Sequence, residues 1–91
     1  MKYRDRFTIV AAMLEAAESG PVAKTRMMYS AYLSYAQLKE YLRVLVNHGM
    51  LAESEGMLRL RPDGARFLML YREIRDLLGS GETPLVEALP P

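Results

Sequence analysis

Three groups of side chains in this sequence are equipped to hold anions. Lys24, Thr25 and Arg26 stand together, Ser34, Tyr35, Gln37, Lys39 and Arg43 are spread over one short stretch, and Arg59 and Arg61 are two apart. Lys and Arg donate charge-assisted hydrogen bonds to phosphate, and Ser, Thr and Tyr hydroxyls donate neutral ones. Gln, Lys and Arg also reach base edges. Catalysis needs different equipment. There is no glycine-rich phosphate loop, no nucleophile–base pair and no cluster of carboxylates, so the chain does not read as an enzyme. Gly79-Ser80-Gly81 has no strand before it and reads as a linker rather than a nucleophile elbow. Cysteine is absent, which removes disulfides and every thiolate-based metal or redox site. The single histidine, His48, cannot build a zinc site alone and is expected to cap carbonyls at a helix end. The seven methionines fall at core spacings and read as packing. No cofactor, metal or small-molecule ligand is expected.

These groups must be positioned by something, and the periodicity supplies it. From Asp5 to about Ser19, Phe7, Val10, Leu14 and Ala17 recur at helical spacing with Met13 beside them, and Ser19-Gly20-Pro21 breaks the pattern. A shorter helix is predicted over Val22 to about Ala31. Ser34 is a good N-cap for a third helix, written here as 34–48, in which Leu38, Tyr41, Leu42 and Leu45 form one apolar stripe. Glu40, Arg43 and Asn47 lie opposite, and Gly49 supplies the left-handed stop. The period then changes to two. Leu51–Ser54 and Met57–Arg61 flank Glu55-Gly56 and read as a hairpin with a loose tip, since Glu-Gly is a weaker turn than Asn-Gly. Pro62-Asp63-Gly64 opens a fourth helix over 62–78.

Size and charge set the frame. A chain of 91 residues, about half of them hydrophobic, suits one domain, here 1–78, followed by a flexible Gly- and Pro-containing tail, 79–91. Neither a signal peptide nor a membrane span is read, and the expected location is the cytoplasm, in association with the nucleoid. The net charge of +1 hides an asymmetry: residues 1–66 carry ten basic and seven acidic residues, residues 67–91 two against four.

The predicted order of helix, helix, helix, hairpin, helix is the winged helix-turn-helix plan, an α+β and mostly helical fold. In that plan the third helix enters the DNA major groove and the wing reaches flanking backbone. The strings Lys24-Thr25-Arg26-Met27-Met28-Tyr29, Leu33-Ser34-Tyr35 and Tyr41-Leu42, with Leu45-Val46-Asn47-His48-Gly49-Met50-Leu51, strengthen this. Over roughly residues 5–75 the chain resembles the archaeal winged-helix family of small chromatin-associated DNA-binding proteins and related transcription regulators. The resemblance implies DNA binding and, in small members, an antiparallel coiled-coil dimer made by the last helix. Two departures stand out. Arg61 occupies a position where the family often has a capping Thr, and Gly79-Ser80-Gly81 keeps the last helix short.

Each candidate has an ordinary structural alternative. Ser34, Tyr35, Gln37, Lys39 and Arg43 are DNA contacts or a solvated helix face, with Glu40 repelling phosphate unless it pairs with Arg43 or accepts from a cytosine amine. Lys24, Thr25 and Arg26 attract a phosphate or stabilise a turn. Arg59 and Arg61 grip backbone or pair with Glu53 and Glu55 across the hairpin. On the last helix Phe67, Leu70, Tyr71, Ile74, Leu77 and Leu78 form a dimer interface, or are covered by the first helix and by Leu85, Val86 and Leu89 of the tail. The leading reading is a dimeric binder of double-stranded DNA. The rival is a protein-interaction adaptor built on the same fold.

Overall fold

The computed structural model describes residues 5–79 and 89–90. Along the chain run α1 (Arg6–Ala16), β1 (Val22–Ala23), α2 (Lys24–Ser30), α3 (Tyr35–Asn47), β2 (Leu51–Ser54), β3 (Met57–Leu60) and α4 (Pro62–Gly79). The expected tail lies outside the described residues, apart from Gly79, which ends α4, and residues 89–90.

Caps decide where the helices begin. The Asp5 carboxylate accepts from the Thr8 N–H at 2.8 Å, and that bond holds its acidity below the ordinary carboxylate value. At α3 the cap is reciprocal. Ser34 Oγ accepts from the Gln37 N–H (3.2 Å) while Gln37 Oε1 accepts from the Ser34 N–H (3.0 Å), satisfying two donors that the helix leaves open. The helix ends are equally specified. Beyond α3, Met50 N–H donates to Leu45 O and Gly49 N–H to Val46 O, with Gly49 at φ 72°. This is a Schellman closure. Beyond α2 the same pair of bonds recurs, from Leu33 N–H to Met28 O and from Tyr32 N–H to Tyr29 O, with Tyr32 at φ 54° in the glycine's place. His48 occupies the C-cap of α3, as expected, where its backbone N–H donates to Val44 O at 2.9 Å.

Two boundaries differ from expectation. α1 stops at Ala16 rather than Ser19. Val22 and Ala23 are not the first residues of α2. They form a short strand paired with β3, Val22 with Leu58 and Ala23 with Met57. The sheet order is β1-β3-β2, antiparallel throughout. In the hairpin both turn residues, Glu55 (φ 54°) and Gly56 (φ 78°), have the positive φ of a type I′ turn, which matches the strand twist.

Every helix and the sheet contribute to one core. Met13 and Leu14 from α1, Met27 from α2, Leu38 from α3, Leu51 and Leu58 from the hairpin and Leu68 from α4 are all essentially inaccessible. Truncating one to alanine costs about 2–5 kcal/mol. Phe7 does not join them. It stays 66% exposed and lies against Phe67 of α4, ring centroids 6.4 Å apart. α4 is tied to α1 by Arg72, whose guanidinium donates to both Glu18 oxygens (2.7 and 2.8 Å) and to Glu15 (3.0 Å). Arg72 holds the Glu18 carboxyl below its ordinary value. Near its start α4 presses on the hairpin: a Cβ on Gly64 would collide with the Met50 carbonyl oxygen and the Leu60 side chain.

Candidate nucleic-acid interface

Helix α3 buries Leu38, Leu42 and Leu45 and half-buries Tyr41, so the expected apolar stripe is the seated face and its opposite side is free to carry chemistry. Lys39, Arg43 and Asn47 recur every fourth residue along that opposite side, which places them in one row. A shallow groove of about 270 Å³ runs beside the row. Lys24, Lys39, Leu42, Arg43, Val46, Asn47 and Glu53 line it, so α2, α3 and β2 all contribute. Three of the sequence-predicted cations thus meet at one place, although they come from positions as far apart as 24 and 43.

The groove is electrostatically mixed. Lys24 Nζ lies 2.7 Å from Glu53 Oε2, and this contact raises the lysine's affinity for its proton. Both side chains remain about two-fifths exposed, so the pair is wet and exchangeable. The Lys39 ammonium sits 5.7 Å from the centroid of the Tyr35 ring, a cation–π arrangement. Ser34 and Gln37 are committed to capping through their oxygens, which leaves the Ser34 hydroxyl hydrogen and the Gln37 amide hydrogens as donors.

The remaining candidates sit elsewhere. Thr25 and Arg26 are exposed on the first turn of α2, outside the groove. Arg59 is exposed on β3 opposite Ala52, and Arg61, also exposed, follows the strand's last residue at the foot of α4. Glu53 faces Leu58 in the ladder and binds Lys24, which corrects the expectation that it pairs with an arginine across the hairpin. Two groove residues were not among the candidates. Asn47 was legible as the next member of the 39, 43 row. Glu53 was not, because its partner lies 29 residues away.

The predicted interface residues of α4 divide. Phe67 and Tyr71 are half-buried in the chain's own packing, their rings stacked at 6.2 Å, and the Tyr71 hydroxyl donates to Thr8 Oγ1 at 3.3 Å. Leu70, Ile74 and Leu77 project outward at 44, 57 and 71% exposure, and Leu78 is half-buried. With Phe7 they border an apolar groove of about 530 Å³ between α1 and α4. Among the described residues no helix is long and apolar enough to cross a membrane.

A helix-turn-helix with its recognition helix exposed, closed by a two-stranded wing and extended by a terminal helix, defines the class. The family model described as winged helix-turn-helix matches residues 3–79, and the chain belongs to that family. Two uncharacterized proteins of Methanocaldococcus jannaschii are similar to it. MJ0290 is 27% identical over 75 residues, which cover 82% of this chain and 36% of that protein. MJ0287 is 23% identical over 77 residues, covering 85% and 79%. The chain therefore spans about a third of the first relative. Among solved structures, Sso10a-2, described as a DNA-binding protein from Sulfolobus solfataricus, superposes with a TM-score of 0.70 at 23% identity over 78% of each chain. That likeness supports the fold.

Proposed function

We propose that this protein binds duplex DNA as a homodimer, in transcription control or chromosome organisation at the nucleoid. The observation that carries this reading is the convergence of Lys24, Lys39 and Arg43 with Asn47 on one groove beside the exposed row of α3. A helix of about 10–12 Å diameter fits a major groove about 12 Å wide. In that pose Arg43 and Asn47 address base edges, the Val46 methyl groups suit a thymine methyl, and Lys39, Ser34, Tyr35 and Gln37 hold the backbone. Lys24, Thr25 and Arg26 serve one flanking phosphate, and Arg59 and Arg61 another. The DNA-binding description of Sso10a-2, which shares this fold, supports the assignment. Dimerisation is assigned to Leu70, Ile74, Leu77 and Leu78, with Phe67 and Tyr71 behind them, because a contiguous exposed apolar stripe on a small domain marks an association site.

The test is anisotropy of a labelled duplex titrated with the protein at low and moderate salt. Affinity should fall steeply with salt, by a log–log slope of about 0.9 per phosphate contacted. Absence of binding at low salt would sink the reading. It would favour the adaptor alternative, which the acidic Glu40, Glu53 and Glu55 around the same face support.

A further inference from the structure

The same Schellman closure ends α2 and α3, yet the pivotal residue differs. In α3 it is Gly49 and in α2 it is Tyr32, both in the left-handed region. That region disfavours any residue with a Cβ, and a bulky aromatic ring most of all. A glycine would satisfy the α2 closure with less strain. The tyrosine side chain also adds little to the core, since Tyr32 is 83% exposed. Its neighbours Ala31 and Leu33 are buried and hold it outward. A strained position occupied by an exposed aromatic calls for an explanation outside the fold.

The surroundings supply one. Tyr29, at the end of α2, and Tyr35, which opens α3, are 74 and 62% exposed, so half of the chain's six tyrosines present their rings around one turn. Tyr29 and Tyr35 are six residues apart, so all three lie within about 20 Å of chain. No Asp or Glu occurs between Glu18 and Glu40, whereas Lys24, Arg26 and Lys39 do. Exposed aromatic rings in an acid-free, cationic stretch match a polyanion that carries flat apolar groups.

We propose that Tyr29, Tyr32 and Tyr35 form a stacking platform for the unpaired bases of a single DNA strand, with Arg26 and Lys39 holding its backbone. The proposal rests on the reading that this protein binds nucleic acid, and it adds a preference for opened strands beside the duplex groove of α3. Stacking of this kind tolerates any base sequence, because every base has a π-face.

The chain has no tryptophan, so its intrinsic emission comes from tyrosine, and a base stacked on these rings quenches it. The full chain is titrated with an oligothymidylate and, separately, with a duplex, following emission and anisotropy for wild type, Tyr32→Gly and Tyr29→Phe/Tyr32→Phe. The single strand should quench the wild type. Tyr32→Gly should melt no lower than wild type, bind the single strand at least about fivefold more weakly, and keep its duplex affinity. The Phe variant should bind like wild type, since the rings remain. Duplex binding without single-strand binding overturns the platform and leaves the duplex reading intact. Binding to neither removes both. Equal losses in the Gly and Phe variants would assign the contact to the hydroxyls and overturn stacking.

Discussion

On the face formed by α3 and β2, the exposed groups are cations and amides around a shallow groove, and its one printed ion pair, Lys24 with Glu53, stands in water. On the face formed by α4 and the start of α1, the exposed groups are Phe7, Leu70, Ile74 and Leu77. Water satisfies the first face well, and a polyanion displaces that water by releasing its own counterions. It satisfies the second badly, and only another apolar surface improves on it. The comparison teaches that exposure has two meanings in this domain. One face suits a charged ligand that comes and goes, the other a partner that stays.

The sharpest way to break the contrast is to charge the apolar face. Leu70→Glu/Ile74→Glu should convert the dimer to a monomer in sedimentation, with the thermal midpoint of the domain itself little changed. A monomeric wild type would remove the distinction at once. A large but smaller effect is expected on the other face. Lys39→Ala/Arg43→Ala should lower duplex affinity about tenfold or more and reduce the salt slope by about two contacts, without altering assembly. Wild-type binding by that variant would show that the docking face is misassigned.

Asp5→Ala tests the scaffold between the faces and should cost about 0.5–2 kcal/mol by chemical denaturation. The same contribution should vanish on acidification. The folded acidity of Asp5 lies below its unfolded value, so the cap stabilises at pH above that value and is lost as pH falls through the folded one. A denaturation midpoint of the variant that tracks wild type down to pH 3 and up to pH 7 alike would contradict this. The smallest effect is expected from Glu53→Gln, which releases Lys24 from its partner. Duplex affinity should rise a few-fold and the salt slope by about one contact; an unchanged slope would mean that Lys24 reaches no phosphate.

Much of this architecture was legible because it is locally encoded. Ser34 with Gln37 announces a helix start, Gly49 its end, and alternation over 51–54 and 57–60 a hairpin. What escaped is what distance controls. Val22 and Ala23 look locally like the first turn of a helix and become a strand only because β3 offers them a free edge. Phe7 keeps helical spacing with Val10 and Leu14 but lies at the frayed end of α1, where Phe67 rather than the core is its neighbour. The candidate site followed the same rule: the row on α3 was readable from its period, whereas the Lys24–Glu53 contact needed the fold.

Gly64 connects the two faces mechanically. With no side chain there, the backbone of α4 rests directly on the Met50 carbonyl and the Leu60 side chain, at the root of the hairpin. A spacer of even one methyl would lever the helix away from the wing. Because contact at that fulcrum is made by backbone, the direction in which α4 leaves the domain is fixed, and Ile74 is carried on a rigid arm. Two copies joined along such arms would hold their α3 helices at one set separation and phase, as a caliper does, so the spacing of paired half-sites on DNA would be written into a single glycine.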